Sequence, residues 1–410
     1  MKIKYYIYFA FVLVQHCFTQ TTEWKVYNIS TSLIPFNIVR FVSIDSLNNV
    51  WIGNYESNPI KFDFKQWTIF DKESPSIYSL QSVFTDKTGK TWVVSNTAGL
   101  SCFNKNFWIN KSNVKSYSGI YSVDIFNHIW FANADILTDY NDSTGQLINY
   151  SASNDYYFTA LAIDSNQNIW CGRSDVNKDF SARISKYDKK TWIDFKQIDS
   201  SMPFYNIDRF TCIAIDSKNR KWFGSENNGV VSYNDVIWEI FNTKNSEIGS
   251  DKINSLTLEN DSILWIGTTS GLIKKVRNSW LKFDTSNSLL PSNQVYSINI
   301  DRFNNKWIGT NAGLAVFREG GVIIHVDDSK KDTGLEISPN PATDYIYLNL
   351  PDGLRANHEV DVVIYNSMGM ETMKLSASAS GGQMKIDVSA LPAGVYFVRC
   401  GGELGKFVKE

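Results

Sequence analysis

The sequence predicts an all-β protein, a seven-bladed β-propeller followed by a small antiparallel β-sandwich of the immunoglobulin-like kind. Three observations carry that expectation. A Trp-centred unit recurs seven times at near-equal spacing, each unit repeats one order of short strand-like runs, and the composition changes after residue 326.

In chain order, the first 20 residues read as a signal peptide. Lys2 and Lys4 precede an apolar run from Tyr6 to Val14, too short to span a bilayer, with cleavage expected near Thr19 or Gln20. His16 before Cys17 does not fit a lipidation site, and no later run is long and apolar enough to cross a membrane. The formal net charge of −2 gives no electrostatic footprint for nucleic acid or an anionic membrane.

Residues 21–326 hold the repeats. The anchors are Trp51, Trp92, Trp130, Trp170, Trp222, Trp265 and Trp307, separated by 41, 38, 40, 52, 43 and 42 residues. Each unit opens with an alternating run ending in Asp, such as FVSID (41–45) or SINID (297–301), followed by a polar turn. The Trp strand comes next, and Gly-Leu or Gly-Val then enters a third strand, as in AGLSCF (98–103) and AGLAVF (312–317). A fourth run carries a second Trp, as in Trp67/Phe70 and Trp280/Phe283. Four strands per period of about forty residues make one propeller blade. The repeated Trp and Gly-Leu are packing positions, and two segments could complete blade seven: Trp24–Tyr27, a fourth-strand element without its own blade and the favoured one, or Val322–Val326 (VIIHV) from the other end. These units resemble the two-component regulator propeller repeat, whose WIGT…GL pattern stands at Trp265–Leu272 and Trp307–Leu314. Trp92 and Trp130 depart from it by lacking the Gly.

A polar linker is expected at 327–334, and residues 335–410 then read as five short strands: Tyr345–Leu350, Val360–Tyr365, Met384–Val388, Val395–Cys400 and Lys406–Lys409. This block resembles the type A sorting domain of the type IX secretion system, on ISPNPATD (337–344), VVIYNSMGMET (362–372), IDVSALPAGVYFVRC (386–400) and KFVKE (406–410). The resemblance implies a Bacteroidetes-type secretion machinery as partner. It also implies passage from the periplasm across the outer membrane, to release or surface attachment.

Little in the repeats points to catalysis. Cys102, Cys171, Cys212 and Cys400 are scattered and read as buried thiols, and no Cys/His cluster suggests a metal. The Asp ending each first run (Asp45, Asp86, Asp164, Asp216, Asp301) suits a hairpin turn better than calcium, since no Glu follows at ligand spacing. A sialidase would show a shorter Asp-to-Trp spacing and an arginine cluster. A streptogramin-lyase-like enzyme would need more histidine than His128 and His325 provide. No cofactor is expected, and a carbohydrate-active hydrolase or lyase is kept as the alternative to a monomeric binding module. The ligand of that module would be a glycan, peptide or envelope partner; a structural or adhesive surface protein is the third class.

Two candidate sites follow. The residues directly after each Trp core, Asn54, Ser95, Asn133, Arg173, Ser225, Thr268 and Thr310, are expected to ring one mouth of the channel. Blade four is longer by about six residues, and its charged segment, with Arg173, Asp175, Lys178, Phe180 and Arg183, is the candidate insertion loop.

Overall fold

The computed structural model describes residues 23–70, 77, 79–104, 107–111, 114, 119–151, 156–175, 182–195, 207, 209–323, 335–349, 359–366, 371–378, 383–400 and 403–410. The expected signal peptide, the linker, His325, Lys178 and Phe180 lie outside them. The chain divides into two compact units, Met1–His325 and Val326–Glu410.

The first unit is a β-propeller of seven four-stranded antiparallel sheets. Blades one to seven span 41–69, 80–110, 120–151, 156–195, 210–241, 253–283 and 295–317. The seventh has only three strands from its own repeat; Trp24–Tyr27 supplies the fourth, with Trp24 opposite Phe317 and Tyr27 opposite Leu314. The first strands of adjoining blades run side by side around the axis. Second-to-third hairpins and fourth-to-first connections therefore share one face, and the other two turns share the opposite face.

Three sequence features explain the packing. All seven repeat tryptophans are buried. The Gly after each WI core is where the next blade comes closest: a Cβ at Gly309 would lie 2.6 Å from the carbonyl oxygen of Val39, and one at Gly224 would lie 2.7 Å from Ile253 Cγ2. In five blades the Asp ending the first strand accepts hydrogen bonds from the turn it precedes and from the Trp six residues on. Asp164 Oδ1 accepts the Asn166 and Asn168 amides at 2.9 Å each, and Oδ2 accepts Trp170 Nε1 at 2.9 Å. That carboxylate is thus filled by protein donors. Burial pushes the Asp164 carboxyl up, but the Asn168 and Trp170 bonds outweigh it and hold it below the ordinary range. Cys102, Cys171, Cys212 and Cys400 are free thiols, and burial pushes Cys212 up to about 12.

The second unit has a three-stranded sheet (Glu336–Ser338, Tyr345–Asn349, Gln383–Asp387) and a four-stranded one (Glu371–Ser378, Glu359–Asn366, Gly394–Cys400, Glu403–Lys409, in spatial order). Ile346, Leu348, Met384 and Ile386 from the first join Val362, Ile364, Val398 and Phe407 from the second in one buried cluster. Two of these strands, Glu336–Ser338 and Glu371–Ser378, were not among the five expected. The first is only three residues long, and Glu371–Ser378 pairs on one side only, at the sheet edge, where Met373 and Leu375 stay partly buried. In Glu371–Ser378, Met373, Leu375 and Ala377 alternate with polar residues, the period of a half-buried edge strand.

Candidate functional site at the channel mouth

The first strands line the channel, and their register carries an extra residue in blades two, four, five, six and seven. The bulged residues are Gln81, Thr159, Thr211, Asn254 and Tyr296. Some join blades: Thr211 Oγ1 donates to the Ile253 carbonyl at 2.6 Å, and Asn254 Nδ2 to that of Val295 at 2.6 Å. Others open onto a mouth cavity of about 770 Å³, which continues into a channel cavity of about 490 Å³ through shared Gly119, Ile120, Thr159 and Thr211.

The expected ring sits just beneath this mouth. Ser225, Thr268 and Thr310 are fully buried, and their hydroxyls donate to the carbonyls of Gly229, Gly271 and Gly313 at 2.8, 2.8 and 2.7 Å, inside their own hairpins. Ser95 accepts the Ala98 amide at 3.0 Å, Asn54 donates to the Ile38 carbonyl at 2.9 Å, and Asn133 is half-buried at the end of its strand. Arg173 is 2% exposed among Tyr156, Phe158 and Trp192, with Asp194 at 3.6 Å. Burial holds its guanidinium below the ordinary range. In blade four the second strand runs to Asp175 and the third starts at Ala182, so Arg173, Asp175 and Arg183 are strand residues rather than loop. Arg183 pairs with Asp194 at 2.7 Å.

One position further along the repeat, side chains reach the mouth: Tyr55, Ser174 and Glu226 line the cavity, and Asn311 accepts the Tyr296 hydroxyl at 3.1 Å. Strand alternation explains the offset, because neighbouring residues face opposite ways. Arg40 lies between the Tyr55 and Tyr296 rings, 4.8 and 4.3 Å from their centroids. Tyr55 and Tyr157 are 46% and 45% exposed. Arg209 is exposed, and Glu226 pairs with Lys252 at 3.0 Å. The mouth thus combines aromatic faces with paired charges of both signs. His128 is engaged elsewhere: Nδ1 donates to Asp139 at 2.9 Å and Nε2 accepts from Asn141 at 2.9 Å. Among the described residues, no three His, Cys, Asp or Glu side chains gather as a metal site, and no helix is long and apolar enough to cross a membrane.

The second unit has a different polar feature. Asn340 of the PNPATD turn donates to the Lys406 carbonyl at 3.2 Å and accepts the Val408 amide at 2.9 Å. Ala342 takes part on both sides, donating to the Val408 carbonyl at 2.7 Å and accepting the Glu410 amide at 2.9 Å. Two motifs far apart in sequence are therefore one structural element, the turn clasping the last strand. The family described as the secretion system C-terminal sorting domain matches residues 336–410. Residues 336–410 are a secretion-system sorting domain. The sorting domain points to secretion or the cell surface.

Solved structures similar to this chain are β-propellers at low identity, a likeness that establishes the fold. The extracellular domain of the hybrid two-component system BT3049 from B. thetaiotaomicron is 14% identical with a TM-score of 0.57, and the match covers 94% of this chain and 57% of that one. The chain thus spans little more than half the length of that domain. Virginiamycin B lyase from Staphylococcus aureus is 13% identical with a TM-score of 0.55, covering 73% and 99% of the two chains. YCF48 bound to D1 peptide is 11% identical with a TM-score of 0.53, covering 72% and 97%. No curated protein matches the chain in sequence.

Proposed function

We propose that the chain is an exported binding module: a signal peptide in residues 1–20 takes it to the periplasm, and the sorting domain presents it to type IX secretion machinery. The propeller is then secreted or held at the cell surface, where its channel mouth binds a glycan. The tail's two sheets over one buried cluster are read as the expected immunoglobulin-like sandwich.

The observation that carries the glycan reading is the mouth itself. The exposed faces of Tyr55 and Tyr157 offer stacking planes, and Arg209 and Glu226 beside them offer hydrogen bonds to hydroxyls. The ring has a supporting part in this reading, Asn54 and Ser225 holding the hairpins that carry Tyr55 and Glu226. On a glycan array, the full chain is expected to retain a defined subset of glycans. Tyr55→Ala should weaken that binding about tenfold, since one stacked aromatic contributes about 1–2 kcal/mol. Retention of peptides alone would replace the ligand class, and turnover of a bound glycan would favour the enzyme.

Deleting residues 336–410 is expected to hold the propeller in the periplasm, whereas the intact chain reaches the surface or medium with its mature C-terminus near residues 327–334. Cell fractionation with mass spectrometry of that terminus reads both. A periplasmic form still ending at Glu410 would sink the export reading.

A further inference from the structure

The seven blade interfaces follow one pattern, and the contact between blades five and six breaks it twice. In six blades the repeat tryptophan donates its indole N–H to an acidic side chain: Trp51 to Asp45, Trp92 to Asp86, Trp130 to Asp124, Trp170 to Asp164, Trp265 to Glu259 and Trp307 to Asp301, at 2.7–3.1 Å. In blade five Trp222 Nε1 is buried without an acceptor, while Asp216 keeps only the turn amides of Lys218 and Arg220. Trp222 is also the most exposed of the seven, at 7%.

The second break lies on the facing blade. Six third strands place an aromatic ring opposite the start of the second strand: Phe62, Phe103, Tyr140, Tyr187, Tyr233 and Phe317. Five of these rings meet the tryptophan of the preceding blade, as Phe103 meets Trp51 at 5.0 Å and Phe317 meets Trp265 at 5.8 Å. Blade six has Lys275 there, opposite Leu264. Its ammonium lies 5.6 Å from the Trp222 ring and 5.0 Å from that of Phe241, and it donates to the Arg277 carbonyl. Lys275 is 8% exposed, and burial together with Arg220 holds its ammonium below the ordinary lysine range.

Where the ring is missing there is a cavity of about 640 Å³, lined by Trp222, Lys275, Phe241, Asn234, Glu239 and Asn278 among others. It opens through the first-to-second and third-to-fourth turns, on the face opposite the channel mouth. An indole N–H can only donate, so an occupant must present an acceptor there. The neighbouring buried ammonium favours a charged acceptor. Glu239 and the two asparagines provide acceptors for hydroxyl groups, and the volume is that of a small-molecule pocket.

We propose that the crevice between blades five and six binds a sugar acid, its carboxylate received by Trp222 Nε1 and Lys275 Nζ and its hydroxyls by the polar wall. The site is independent of the channel mouth. Calorimetric titration of the full-length chain with D-glucuronate should show saturable binding, with D-glucose and acetate at least about tenfold weaker because each lacks one half of the match. Lys275→Phe restores the ring found in the other blades. It should lower glucuronate affinity at least about tenfold while leaving the thermal midpoint unchanged or higher, and Trp222→Phe, which keeps the ring and loses the donor, should weaken binding in the same direction. Tyr55→Ala at the mouth should leave glucuronate binding unaltered. Failure of the wild type to bind glucuronate, equal binding of glucose, or full affinity in both crevice variants would overturn the proposal.

Discussion

Asp301→Ala should destabilise the propeller by about 4 kcal/mol, and Asp216→Ala by no more than about 1–2 kcal/mol, although the two carboxylates occupy the same place in their repeats. Asp301 is 5% exposed and accepts four hydrogen bonds: Trp307 Nε1 at 2.8 Å, Asn305 Nδ2 at 2.7 Å and the amides of Phe303 and Asn305 at 2.9 Å each. Trp307 and Asn305 are wholly buried, so removing the acceptor leaves donors that water cannot reach. Each such donor costs about 1–3 kcal/mol, partly relieved by relaxation. Asp216 has no indole to satisfy. Urea unfolding followed by tryptophan fluorescence measures both variants. Equal losses would mean that the indole bonds contribute nothing, and the repeat Asp would then matter only as a turn residue.

A chain lacking residues 24–27 should melt roughly 10 °C below the intact protein and associate through the exposed edge. Trp24–Tyr27 covers the buried strand Gly313–Phe317, which would otherwise present unpaired backbone groups. Tyr27 is also buried against Phe62, Trp67 and Trp307, and Trp24 packs on Phe283 and Phe317. Losing both aromatics removes about 4–5 kcal/mol of apolar burial before the edge is considered. A synthetic peptide of residues 23–28 added in trans should recover part of the lost midpoint by reoccupying that edge. Scanning calorimetry with and without the peptide decides it: an unchanged midpoint would show that three strands suffice for the seventh blade.

Most of the fold was legible because its determinants repeat. Seven tryptophans at about forty-residue intervals can be read without any neighbour in space, and Trp24 betrays its place by carrying a fourth-strand pattern with no blade of its own. The mouth was harder to read. The ring at Asn54 and its equivalents stands one residue short of the side chains that face outward, and the first-strand bulges that present Gln81, Thr211 and Tyr296 are invisible to a period of two. Arg40 and Tyr296 meet only because the ring closes, so no local window contains both. The Lys275 anomaly, in contrast, stands openly in SGLIKK (270–275), where other units end in Phe or Tyr. It becomes meaningful only beside Trp222, whose missing acceptor no sequence pattern records.

The N-terminal strand that completes blade seven imposes a timetable on the molecule. Trp24 pairs with Phe317, 293 positions later, so the earliest strand to be made is among the last of the propeller to find its partner. Until then each emerging blade can pack only on the one before it, and the growing arc keeps two open ends. Closing so wide a loop costs little more entropy than closing a moderate one, because that cost rises only logarithmically with length. The delay is therefore one of waiting and search, and folding should be slow in the manner of proteins dominated by distant contacts. Under the export proposed above, a chain threaded through a membrane before it folds would gain from this arrangement. The propeller could not lock while any part of its last blade was still on the near side, and the clasp would shut only after the whole ring had arrived.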